Sequence, residues 1–140
     1  MTIRDLVRTD IVTASSDQSA GNLATLMAEE NVGSVVIVKE RRPVGIVTDR
    51  DLTVKVLRER ADPREVTASD VMTPGPVTAD MDDGVFDVIR AMRAAPARRM
   101  PVVADDGTIA GIITLDDLLV LLADEFQGLG EIVEAESPPY

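Results

Sequence analysis

Apolar residues fall along this chain in two rhythms, and the same succession of rhythms occurs twice. Ala20, Leu23, Ala24 and Met27 share one helical face within a helix predicted from about Ser19 to Asn31. Val85, Val88, Ile89 and Met92 repeat those offsets in a second helix predicted from about Asp83 to Ala95. Short extended pieces precede the helices, around Ile11 to Thr13 and Pro76 to Thr78. Pairs of strands follow them: Ser34–Lys39 with Val44–Thr48, then Arg99–Ala104 with Ile109–Thr114. Polar turns join each pair, Glu40-Arg41-Arg42-Pro43 and Asp105-Asp106-Gly107. The strand runs are nearly continuous rather than alternating, which predicts sheets covered on both faces. A closing helix is predicted to begin at Thr48 and again at Thr114.

The repetition extends to residue identity, with a period of about 65 residues. Gly45-Ile46-Val47-Thr48-Asp49-Arg50-Asp51-Leu52 returns as Gly111-Ile112-Ile113-Thr114-Leu115-Asp116-Asp117-Leu118. Val12-Thr13 returns as Val77-Thr78, and Val35-Val36-Ile37-Val38 as Met100-Pro101-Val102-Val103. The organisation read from this is a first repeat over 1–60, a linker over 61–67, a second repeat over 68–126, and a mobile acidic tail over 127–140. A single repeat is marginal as a folding unit, so the two are expected to share one compact module.

These residues resemble a known family. Asp70-Val71-Met72-Thr73-Pro74, Val77-Thr78, Met100-Pro101-Val102-Val103 and Gly111 to Leu118 together look like a cystathionine-β-synthase (CBS) domain. The first copy is similar but has Leu6-Val7-Arg8-Thr9 in place of the Met-Thr-Pro opening. Together they resemble the tandem pair called a Bateman module, over about Thr2 to Glu125. The resemblance implies an α/β (α+β) fold of two βαββα repeats packed sheet to sheet about a pseudo-twofold axis, with two clefts between them. It also implies an adenosine-type ligand in those clefts (AMP, ADP, ATP or S-adenosylmethionine), and regulation of an enzyme, channel or transporter. With no effector domain in these residues, the expected target is an unknown regulated protein acted on in trans.

Thr48-x-x-Asp51 and Thr114-x-x-Asp117 each end a strand and open a helix. Read from the residues alone, each is a capping box, with Thr capping and the acid bonding back. The same geometry lets a carboxylate accept ribose hydroxyls while Thr and free N–H groups face phosphate, and the resemblance implies those roles here. It further implies that each cleft takes its Thr and Asp from one repeat and a base-binding edge from the other. Cleft one then combines Thr48 and Asp51 with Val77, Thr78, Ala97, Arg98, Arg99, Met100 and Pro101. Cleft two combines Thr114 and Asp117 with Val12, Thr13, Val32, Gly33, Ser34 and Val35. Arg98-Arg99 stands where the other repeat has Gly33-Ser34, and arginine grips phosphate through paired charge-assisted bonds. Cleft one is therefore expected to take the phosphorylated ligand, and cleft two a ligand with little negative charge or none at all. The alternative for Arg98-Arg99 is a solvated pair balancing nearby acids.

Composition narrows the remaining functions. The net charge of −11 argues against nucleic acid, whose phosphates need a basic surface. With no Cys and no His, there is no thiolate or imidazole metal site, no disulfide, and no usual general base. The chain therefore reads as no enzyme, with no catalytic residue and no metal site of its own. No cofactor is required, and any magnesium is expected to bridge nucleotide phosphates. No signal segment opens the chain and no apolar run approaches the ~20 residues of a membrane span, so it reads as cytoplasmic. Asp supplies most of the acidic residues and Lys is scarce, which suits a protein kept soluble in high salt and equally an ordinary acidic surface. Finally, Leu118-Leu119-Val120-Leu121-Leu122 is apolar around its whole circumference. With Leu115, Leu118, Leu119 and Leu122 facing the core, Val120, Leu121 and the matching Val54 need other cover, which predicts a homodimer through the closing helices. A structural dimerisation module with unoccupied clefts is the alternative function.

Overall fold

The computed structural model describes residues 1–136. A 3₁₀ turn, Ile3–Asp5, comes first. The first repeat follows as β1 (Thr13–Ala14), α1 (Ala20–Glu30), β2 (Ser34–Lys39), β3 (Arg42–Thr48) and α2 (Asp49–Leu52), which runs on as a π-helical turn over Thr53–Leu57. A short helix α3 (Ala68–Val71) leads through β4 (Thr73–Pro74) to β5 (Ala79–Asp80), α4 (Val85–Ala94), β6 (Arg99–Val103), β7 (Ile109–Thr114) and α5 (Leu115–Glu136). This is the expected α+β architecture of two βαββα repeats. Local chemistry sets the helix ends: the Ser19 hydroxyl accepts from the Asn22 N–H at 3.1 Å, and Asn31 closes α1 in the left-handed region at φ 53°.

Two sheets form, β1-β2-β3-β4 and β5-β6-β7. In each, the short first strand runs parallel to the second, which then pairs antiparallel with the third. The edges are exchanged between repeats. β4 belongs to the chain entering the second repeat, yet it pairs with β3 of the first, Ile46 opposite Thr73. Reciprocally, Arg8 bridges to Ile112 in β7 through hydrogen bonds in both directions, each 2.9 Å. Gly45 and Gly111 lie at these crossings, where a Cβ would run into Met72 and into Val7 and the Arg8 carbonyl respectively.

The cores are exchanged in the same way. Ile3 is fully buried in the second repeat's core with Val88, Met100, Ile113 and Leu118. Ala68 and Val71 are buried in the first repeat's core with Leu23, Val35, Val47 and Val56. Each half thus fills the other's core with its lead-in segment, as a repeat too small to bury enough surface alone requires. Val36 projects from the opposite face of β2 to Val35 and Ile37 and is also buried, so that strand is covered on both sides.

Four local expectations are corrected. The first hairpin turns on two residues rather than four: Lys39 pairs with Arg42, and Glu40 and Arg41 both adopt positive φ. That is the twist-matched hairpin geometry, reached without the Asn-Gly signal that would have marked it. The opening strands lie slightly later than predicted, at Thr13–Ala14 and Ala79–Asp80. The helical pattern does not end at Phe126: α5 continues through Gly128 and Gly130 to Glu136, while residues 137–140 of the expected tail lie outside the described residues. Glycine costs about 1 kcal/mol in a helix interior, a penalty that the surrounding Leu, Glu, Ile and Ala outweigh. On α5 the core-facing residues are Leu118 and Leu121, and Leu122 is only half-buried. Leu121 packs against the second core, whereas Leu119 is 53% exposed. Val120 is exposed as expected, and Val54 is half-buried.

Candidate functional site

The strand-to-helix corners carry the first part of the site. Asp51 Oδ2 accepts from the Thr48 N–H (2.9 Å) and hydroxyl (3.1 Å), and the Thr48 Oγ accepts from the Asp51 N–H (3.2 Å). Thr114 and Asp117 repeat this at 3.1, 2.8 and 3.1 Å. The capping geometry is therefore formed at both corners. A third copy, Thr67 and Asp70 at the start of α3, forms the same box at 2.9 and 3.1 Å. It lines neither cleft between the repeats, so the motif alone does not mark a ligand site.

The other carboxylate oxygen distinguishes the corners. Asp51 Oδ1 lies 3.2 Å from Lys55 Nζ, whose ammonium also donates to the Val71 carbonyl at 2.8 Å. Asp117 Oδ1 accepts twice from Arg8, from Nε at 3.1 Å and Nη2 at 2.8 Å. Burial works against the charge on Asp117, but hydrogen bonds from Arg8 and Thr114 outweigh it and hold this carboxyl below its ordinary range. The same pairing raises the Arg8 guanidinium.

Two cavities lie between the repeats, related by the pseudo-twofold. The first, about 460 Å³, is lined by Thr48, Val77, Ala97, Arg98 and Arg99 among the residues expected for cleft one. Asp51, Thr78, Met100 and Pro101 are not on its wall. Asp51 bonds to Thr48 behind it, Thr78 is exposed, and Met100 and Pro101 are buried, Met100 within the second core. Ile46, Thr73, Gly75, Pro76, Ala95 and Pro96 complete the lining. Sequence reading missed Thr73, Gly75 and Pro76 because their place depends on β4 crossing to the first repeat's sheet.

The second cavity, about 270 Å³, is lined by Val32, Gly33, Ser34 and Thr114 among those expected for cleft two. Val12 packs against the first core, Thr13 lines a separate groove beside α1, and Val35 is fully buried, so these three leave the wall. Asp117 is joined to the cavity through Thr114 and Arg8. Arg8, Asn31, Arg98, Arg99, Ile112 and Asp116 were missed. The only visible signal was Arg8 itself, the departure from the Met-Thr-Pro opening.

The placement of Arg98 and Arg99 at cleft one alone is corrected. Arg98 and Arg99 line both cavities, and the second adds Arg8. Arg99 reaches the second because Gly33 has no side chain: a Cβ there would lie 3.1 Å from its Nη2. Arg98 meets Asp116 at 3.4 Å with both side chains mostly exposed, a weak pairing.

With this geometry established, comparison with known proteins assigns the family. The chain belongs to the CBS domain family, whose model matches residues 3–58 and 68–124. An uncharacterized protein of Methanopyrus kandleri, MK0525, is 38% identical over 120 residues; the match covers 85% of this chain and 61% of that protein. The CBS domain-containing protein YhcV of Bacillus subtilis is 30% identical over 118 residues, covering 84% of this chain and 83% of the relative. Among solved structures, the CBS domain pair of protein MJ0100 in complex with 5′-methylthioadenosine and S-adenosyl-L-methionine matches with a TM-score of 0.79 at 28% identity, over 89% of this chain and 98% of that one. The chain is thus a CBS domain pair, a kind of module that is typically regulatory rather than catalytic. Among the described residues, no helix is long and apolar enough to cross a membrane.

Proposed function

We propose that this chain is a ligand sensor that binds an adenosine-type compound (AMP, ADP, ATP or S-adenosylmethionine) between its repeats and acts in trans on a separate protein. One observation carries the reading: Thr48 and Thr114, each bonded to the Asp three residues on, line two pseudosymmetric cavities that the other repeat also lines. The ligands of the MJ0100 pair, at 28% identity, support the adenosine class. Magnesium would bridge the phosphates of a bound nucleotide rather than sit in a cage of protein ligands.

Calorimetry with the four compounds tests the proposal. Losing a hydrogen bond to a charged group costs about 1.5–3 kcal/mol, so Asp51→Ala is expected to weaken binding at the first cleft by roughly 10- to 100-fold. Asp70→Ala, which removes the same cap away from the clefts, is expected to leave affinity unchanged. Equal effects from both variants would reduce Asp51 to a helix cap, and no heat with any compound would leave a structural module with idle clefts.

The module also pairs with a second copy in this reading, through α5. Val120, Phe126, Leu129 and Ile132 are each more than half exposed, with Leu119 beside them, in a helix that projects past the second repeat. Leu119, Leu122, Phe126 and Leu129 follow the alternating three- and four-residue spacing of a coiled-coil seam, and Ala123 and Gly130 beside it allow close approach.

A further inference from the structure

We infer that Arg8 makes the second cleft selective for charge, admitting an adenosine ligand only when that ligand brings an anionic group to replace Asp117 as the partner of Arg8. This rests on the ligand-sensing reading above and specifies what one of its sites selects.

The argument begins with acceptor capacity. A carboxylate offers about four acceptor sites. On Asp117 all are taken, two by Thr114 and two by Arg8. On Asp51 three are taken, two by Thr48 and one by Lys55 at 3.2 Å, and Lys55 is held in place independently by the Val71 carbonyl. A ribose hydroxyl can therefore bond to Asp51 with nothing displaced. At Asp117 it must evict Arg8.

Eviction by a neutral ligand exchanges an ionic partner for a neutral one at a carboxylate only 12% exposed, and leaves the guanidinium, 63% exposed, with water alone. An anionic ligand gives Arg8 a new ionic partner. The means are in place: the Arg8 backbone is pinned to Ile112, its side chain already lines the second cavity, and Arg98 and Arg99 line the same wall. Arg99 has no ion pair among the described residues. The acids nearby are Asp10 beside Arg8, Asp116 on the wall and Asp49 across Gly33, all solvent-exposed and therefore screened. The position matching Arg8 at the first cleft is Thr73, which faces Ile46 as Arg8 faces Ile112 and carries no charge. One residue of the lead-in segments thus separates a cleft open to uncharged adenosine compounds from one requiring phosphate.

The test isolates the second cleft in an Asp51→Ala background and titrates ADP and adenosine into chains carrying Arg8, Arg8→Thr or Arg8→Lys. With Arg8, ADP is expected to bind at least about 10-fold more tightly than adenosine. Arg8→Thr, which copies the residue at the other cleft, is expected to tighten adenosine and weaken ADP by about 10-fold each. Arg8→Lys keeps the charge without the two-pronged grip, and is expected to move the ratio the same way by a smaller factor. A ratio unchanged in Arg8→Thr and Arg8→Lys overturns the selectivity but not the sensor. So does binding of the uncharged 5′-methylthioadenosine as tightly as ADP in the chain that carries Arg8. Absence of binding by every adenosine compound, in the otherwise unmodified chain as well, overturns the sensor reading itself.

Discussion

The two repeats share a backbone plan and nearly the same corner motif, yet their clefts differ in volume, in charge and in what holds the aspartate. In the first, Asp51 is steadied by Lys55 from the next turn of its own helix, beside a cavity of about 460 Å³. In the second, Asp117 is clamped by Arg8 from 109 residues away, beside a cavity of about 270 Å³ ringed by arginines. None of this asymmetry arises in the motif that is duplicated. It arises partly in Lys55, whose counterpart in the second closing helix is Leu121, and partly in the exchanged lead-in segments, Val7-Arg8 and Met72-Thr73, which each repeat lends to the other. Duplication supplies two equivalent corners; the borrowed edge makes each one different.

The closing helices give the largest test of that asymmetry. α2 passes into a π-helical turn that ends at Leu57, whereas α5 runs to Glu136 with its apolar row exposed. If α5 pairs with a second copy, Leu129→Glu buries a charge at the seam and is expected to weaken association by about 100-fold or more. Sedimentation equilibrium should then show a monomer where the unmodified chain is a dimer. A chain that is already monomeric at all concentrations removes the pairing.

The crossing glycines give the next. A Cβ at Gly111 would stand 2.5 Å from the Arg8 carbonyl oxygen, which is backbone and cannot turn aside. A Cβ at Gly45 would meet the Met72 side chain, whose thioether can swing. Gly111→Ala is therefore expected to destabilise by about 1–3 kcal/mol, and Gly45→Ala by distinctly less, in chemical denaturation. Equal losses would mean that the two crossings are equally rigid.

The smallest effect is on acid stability. The Asp117 carboxyl is held below its ordinary value in the folded chain, so its contribution is fully present above about pH 4 and disappears as pH falls through the lowered value. Arg8→Thr removes the hydrogen bonds from Arg8 that lower it. The variant's stability is expected to fall less steeply below about pH 4 than that of the unmodified chain, measured by thermal melting across a pH series. Parallel curves would mean that Thr114 alone holds Asp117 down.

Much of the fold was legible without coordinates. Helical spacing located α1 and α4, since Leu23, Met27, Val88 and Met92 recur at the period of a buried face. Uninterrupted apolar runs located β2, β3, β6 and β7, and the duplicated Gly-to-Leu stretch located both corners. The cleft walls were legible only in part: Thr48, Ala97, Arg98, Gly33 and Thr114 were found, because they sit on or beside those elements.

What the sequence by itself determined is what a short window can encode: the period of an element, the capping chemistry of Thr and Asp, and the fact of repetition. Tertiary structure alone decided which repeat each lead-in segment completes, hence that Ile3 fills the second core, that Arg98 and Arg99 serve both clefts, and that Arg8 reaches Asp117. The physical reason is that the second oxygen of a carboxylate takes whichever donor folding brings near: for Asp51 that is Lys55 four residues on, but for Asp117 it is Arg8, 109 residues away, where no local pattern records it.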